Sequence, residues 1–189
     1  DPILKALSLP TVMAITNAEA EGTERQLERL EEALENGLRL IQVRDKGWPP
    51  AQRLWFAETV TRLARSHGAL VVINDDADIA RRVAADGLHL SAAHLARLDE
   101  RPDFAWVGAS CHNAQEIARA GELGLDYALL GPVLPTPTHP EAAGLGWAEF
   151  ARQRDGNTLP VFALGGMKKE RLGEAQAHGA HGIALMRGW

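Results

Sequence analysis

The chain has 189 residues, 46% of them hydrophobic and 24% charged, with a formal net charge of −5. That length suits one domain with a sizeable core, and the acidic balance leaves no electrostatic footprint for nucleic acid or an anionic membrane. No apolar run approaches the ~18 residues of a membrane span, and one cysteine, Cys111, cannot close an internal disulfide, which fits a reducing cytoplasm.

Taken in order, short apolar runs alternate with amphipathic stretches. Residues 11–16 predict a first strand, and residues 24–36 a helix with leucines at 27, 30 and 34, closed by Gly37. A second strand covers 38–44, a helix 50–67, and a third strand 69–73. A short helix from 76 or 77 to 85 leads to a fourth strand at 87–90. The rhythm repeats: strand 104–110, a helix N-capped by Asn113 and running to 123, then strand 126–131. Helix 147–154, strand 159–164, helix 169–178 and strand 180–186 complete the chain. Eight strands alternating with helices predict a single (β/α)8 TIM barrel over residues 1–189, its eighth helix short or missing because the sequence stops at Trp189. An open doubly wound sheet, usually of five or six strands, ranks second. The opening Asp1-Pro2, without a methionine, suggests a piece excised from a longer polypeptide.

In such a barrel the ligand site gathers at the carboxyl ends of the strands. After the sixth strand, residues 130–139 carry three prolines, two threonines (Thr136 and Thr138) and His139. Prolines make this a stiff loop bearing polar groups, unless it is an ordinary proline-rich connection. Gln42, Arg44 and Lys46 follow one another at spacing two, so they share a face. The two cations read as a phosphate clamp or as a solvated surface pair. Asp75 follows a strongly apolar strand and suits a hard cation, whereas Asp76 suits an N-cap. Ser110 is placed to contact a phosphate. Cys111 and His112 are adjacent on one strand and therefore point to opposite faces, which argues against a thiolate pair. Gly165 and Gly166, with Arg187 after the next strand, sit where this fold usually grips phosphate.

With these residues in view, nearly the whole chain resembles the thiamine phosphate synthases and the related thiazole tautomerases. The resemblance rests on 42–46 (QVRDK), 73–75 (IND), 85–90 (ADGLHL), 107–112 (VGASCH), 131–138 (GPVLPTPT) and 163–166 (ALGG). It implies an enzyme joining hydroxymethylpyrimidine diphosphate to thiazole phosphate, giving thiamine phosphate and diphosphate. It further implies that Gln42, Arg44, Lys46, Asn74, Ser110, Thr136 and Thr138 hold the pyrimidine diphosphate, Asp75 binds Mg2+, and Gly165 and Gly166 hold the thiazole phosphate. The expected partners are small phosphorylated heterocycles, with homo-oligomerisation left open and an upstream Nudix domain suggested by fused members of the family.

Three positions depart from the synthase pattern. His94 stands where a second Mg2+-binding aspartate is expected, and imidazole suits Mg2+ poorly. His139 replaces a diphosphate-binding lysine, and Arg187 replaces a serine near the thiazole phosphate. For a tautomerase, Pro132 takes the place of a histidine and cannot move a proton. Three readings follow, in this order: a divergent synthase with a weakened Mg2+ site, a non-catalytic or regulatory barrel binding a phosphorylated ligand, and an isomerase.

Overall fold

The computed structural model describes residues 1–137, 140–141 and 143–189. Eight parallel strands, β1 (Val12–Ile15), β2 (Leu40–Val43), β3 (Leu70–Asn74), β4 (Gly87–Leu90), β5 (Trp106–Cys111), β6 (Tyr127–Leu130), β7 (Val161–Leu164) and β8 (Gly182–Leu185), close in sequence order. Around them lie α1 (Pro2–Ser8), α2 (Ala18–Glu21), α3 (Thr23–Glu35), α4 (Pro50–Arg65), α5 (Ala77–Arg82), α6 (Ala92–Arg97), α7 (Ala114–Glu122), α8 (Gly146–Arg154) and α9 (Leu172–Ala177). The barrel reading stands, and all eight predicted strands are present. The sequence pattern missed α1, α2 and α6, each seven residues or fewer and too short for a periodic stripe to emerge. Among the described residues no helix is long and apolar enough to cross a membrane.

Alternation along each strand makes two cores. Outward residues such as Ile41, Val71, Val107 and Ile183 pack against the helices. Inward residues, among them Met13, Ile15, Leu40, Tyr127, Leu129 and Phe162, fill the barrel. Leu9 joins this inner cluster from the foot of the barrel. There Lys5 of α1 reaches Asp126 at 3.0 Å, and Arg101 holds the same carboxylate at 2.8 Å. The lower end is thereby closed, and the polar positions collect at the opposite end. Local caps follow the sequence: Asp76 accepts from the Ile79 amide and Asn113 from the Glu116 amide.

Candidate active site

The residues singled out at the strand ends converge on one rim. Register fixes which of them share the inner face. Gln42 pairs with Val72, Asn74 with His89, and His89 with Gly108, so Gln42, Asn74 and His89 all point into the barrel. Gln42 is buried, with its amide nitrogen 3.5 Å from the Met13 sulfur. Asn74 is buried too, and its Nδ2 has no hydrogen-bond partner among the described residues. A buried donor left open at a barrel mouth is a place for a ligand acceptor.

Arg44 and Lys46 are exposed on a segment that the sequence did not show to be fastened. The Arg44 amide donates to Thr16 Oγ1 at 2.9 Å, the Glu19 amide donates to Asp45 Oδ1 at 2.8 Å, and the Gly47 amide donates to Glu19 Oε1 at 2.6 Å. Asp45, turned outward between the two cations, is thus a hidden anchor. Its burial pushes the carboxyl pKa up, against the pull of its hydrogen bonds from Thr16 and the Glu19 backbone. Alternation within residues 42–46 carried the signal for it, since it sets Asp45 on the face opposite Arg44 and Lys46.

Asp75 adopts φ of 57°, in the left-handed region. Its Oδ1 accepts from the Ser91 amide at 2.8 Å and from His94 Nδ1 at 3.1 Å. Burial alone would raise its pKa, but the hydrogen bonds from Ser91 and His94 outweigh that and hold the carboxyl below its usual range. The histidine at the expected position of the second carboxylate is therefore docked on the first one. With Nδ1 donating to Asp75, the ring presents Nε2 away from that carboxylate. The described residues contain no group of three or more His, Cys, Asp or Glu side chains able to hold a metal. The donors present fit Mg2+ only as a one-carboxylate site that a ligand's phosphate oxygens would complete.

On β5, Ser110 is half-buried with Oγ 2.8 Å from His89 Nε2. Cys111 turns the other way into the outer core, where burial first and Glu116 second push its thiol up to about 12. His112 is exposed beside Glu116, so the strand separates the two as expected. Thr136 is half-buried on the loop after β6, whereas Thr138 and His139 lie outside the described residues.

The loop after β6 is fixed from two sides. Val133 N donates to Leu164 O at 2.8 Å and Leu134 N to Gly165 O at 3.2 Å, while Pro132 O and Val133 O accept from Leu145 N and Gly146 N. Gly165 and Gly166 have φ of 102° and 68°, and a Cβ on either would come within 2.8 Å of this loop. The double glycine therefore seats the β6 loop as well as leaving bare backbone at the rim. Arg187 is exposed just past β8.

His89 and Tyr127 were not singled out as functional by their sequence positions. His89 is fully buried, with Nδ1 2.8 Å from Tyr127 Oη. Burial, assisted by Arg44 and opposed by Asp75, pulls the imidazole down to about 3. Below the imidazole's ordinary value of 6.5, the unfolded chain takes up a proton that folded His89 refuses. Stability from this group is therefore expected to be lost as pH falls from 6.5 toward 3, by up to about 1.4 kcal/mol per pH unit. Asp75, whose folded pKa is lowered, adds a further loss once pH drops below the ordinary carboxylate range. Urea midpoints between pH 7 and 4 check this, and the slope should flatten in His89→Gln.

Fold and rim together define a closed (β/α)8 barrel with a cationic, amide- and hydroxyl-bearing mouth. A family model for thiamine monophosphate synthase matches residues 12–189, and the chain belongs to that family. A thiamine-phosphate synthase of Thermus thermophilus is 35% identical over 93% of this chain and 86% of its own length. One from Nostoc is 37% identical over 87% of this chain, which spans 48% of that longer relative. Among solved structures, a thiamine phosphate pyrophosphorylase from Pyrococcus furiosus superposes with a TM-score of 0.77 at 28% identity, covering 93% of this chain and 85% of that one.

Proposed function

We propose that this chain is a cytoplasmic transferase of the thiamine phosphate synthase type, joining hydroxymethylpyrimidine diphosphate to thiazole phosphate. The observation that carries the reading is the open Nδ2 of buried Asn74, which the pairing of Val43 with Ile73 sets at the ends of β2 and β3 beside the positions of Arg44 and Asp75. In the reaction the carbon–oxygen bond to diphosphate breaks and its electron pair leaves with the diphosphate. The thiazole nitrogen then gives its lone pair to the pyrimidine carbocation. Such chemistry needs no covalent nucleophile; it needs developing anionic charge to be stabilised. Arg44 and Lys46 supply fixed cations for the diphosphate, and Gln42 and Asn74 supply amides for the pyrimidine. Ser110 and Thr136, with Thr138 and His139 from the sequence, extend the grip, while Gly165, Gly166 and Arg187 bound the thiazole phosphate side. Asp75 would hold Mg2+ together with diphosphate oxygens, and the ion would neutralise leaving-group charge.

A second reading, a barrel that binds a phosphorylated heterocycle without turning it over, is favoured by one observation. His94 occupies Asp75 Oδ1 where a second carboxylate would strengthen the metal site. An isomerase reading gains nothing from Pro132, which has no proton to transfer. Thiamine phosphate formation from the two substrates with Mg2+ separates the readings, run on wild type beside His94→Asp/His139→Lys. Wild-type turnover is expected, and in His94→Asp alone the Mg2+ needed for half-maximal rate should fall about tenfold. Turnover by the double variant alone would overturn the transferase reading and leave the binding barrel.

A further inference from the structure

A chain of hydrogen-bonded polar side chains runs from buried Tyr127 on β6 through buried His89 on β4 to half-buried Ser110 on β5. The register places His89 opposite Gly108 and Gly108 opposite Tyr127, so the tyrosine must cross β5 to reach the histidine. Gly108 makes the crossing feasible: a Cβ there would sit 2.0 Å from Tyr127 Cζ. The ring passes over this bare backbone, packs edge-on to Phe162 at 5.7 Å, and brings Oη to 2.8 Å from His89 Nδ1. On its other side His89 Nε2 is 2.8 Å from Ser110 Oγ.

The protons in this chain can be assigned. His89 and Tyr127 are fully buried, and the two ring nitrogens of His89 meet hydroxyls, Tyr127 Oη and Ser110 Oγ, so the uncharged imidazole and the uncharged phenol are the forms that this environment favours. A neutral imidazole has one donor and one acceptor nitrogen. Tyr127 is fully buried, and among the described residues its hydroxyl has His89 as its hydrogen-bond partner. If Nδ1 carried the proton, the phenolic O–H would be stranded against hydrocarbon, an unfavourable state for a buried donor. Tyr127 therefore donates to Nδ1, and Nε2–H donates to Ser110 Oγ. The serine's own hydrogen is then not spent on the histidine.

We propose that Tyr127 and His89 are positioning residues which orient Ser110 as a hydrogen-bond donor toward an anionic phosphoryl oxygen in the mouth. This deepens the proposed function and rests on its reading of the mouth as a diphosphate site. Neither residue touches the ligand; both act through the serine.

Two measurements on the full chain test this. In the 15N-histidine spectrum of the wild type at pH 7, His89 should show protonated Nε2 and bare Nδ1; the opposite tautomer overturns the relay whatever the protein binds. Calorimetry with inorganic diphosphate, paired with steady-state kinetics, then follows the acting side chain. His89→Met should weaken diphosphate binding about tenfold, the loss of one hydrogen bond to a charged group. The KM for thiazole phosphate should stay unchanged. His89→Gln, whose amide can accept from Tyr127 and donate to Ser110, should restore binding to within about threefold. In a Ser110→Ala background His89→Met should have no further effect, and an undiminished effect there overturns the proposal. A wild type that neither binds diphosphate nor forms thiamine phosphate removes the reading of the mouth, while the tautomer spectrum still decides the proton order.

Discussion

Arg44→Ala is expected to lower thiamine phosphate formation by about 10²–10³-fold, the usual cost of removing one preorganised group aimed at developing charge. Arg44 is not a loose surface cation. Its amide is tied to Thr16 Oγ1, and the next residue, Asp45, is buried and bonded to the Glu19 backbone. These ties set the direction in which its side chain leaves the rim. Alternation from the inward-facing Gln42 sets position 44 on the mouth side. Arg44→Lys should recover only part of the rate, because an ammonium cannot offer the planar fork that grips a phosphate with two hydrogen bonds. Single-turnover rates of diphosphate release report the effect directly. An unchanged rate in Arg44→Ala would return Arg44 to the solvated pair that its sequence also allowed. A Lys46→Ala variant measured alongside shows whether the two cations share the load.

The second large effect concerns stability. Gly165→Val is expected to cost about 3–5 kcal/mol, since it combines backbone strain with overpacking. With φ of 102°, position 165 lies in a region that a β-branched residue avoids. An added Cβ would also meet Pro132 Cα at 2.8 Å and Val133 N at 2.9 Å, both in the backbone of the β6 loop. That loop cannot yield without giving up its hydrogen bonds to Leu164 O and Gly165 O. A melting-temperature drop of roughly 10 °C should follow in a domain of this size. Because the displaced loop carries Thr136, activity should fall at temperatures where the variant is still folded. Gly173→Ala is the control: position 173 lies in α9, and its added Cβ would meet nothing within 4 Å. It should be neutral or slightly stabilising, as alanine is in a helix.

Much of this protein was written in local sequence. Strand-length apolar runs, leucine stripes and glycine stops set the eight-strand order, because burial periodicity and helix termination are properties of neighbouring residues. The same logic placed Gln42, Arg44, Asp75, Ser110 and Gly165 at strand ends, and from that at one rim. Caps such as Asp76 and Asn113 were legible for the same reason: a side chain and an amide three positions away settle them.

Tertiary structure alone decided what those residues touch. Asp75 and His94 are 19 positions apart, yet the histidine docks on the carboxylate. Tyr127 reaches His89 across a third strand, over a glycine whose missing side chain has no meaning until the register is known. Gly165 and Gly166 read as bare backbone for a phosphate, and only the packed fold shows the β6 loop lying against them. In each case the deciding quantity is a distance between strands. Barrel closure and register set that distance, and no single segment of the chain encodes it.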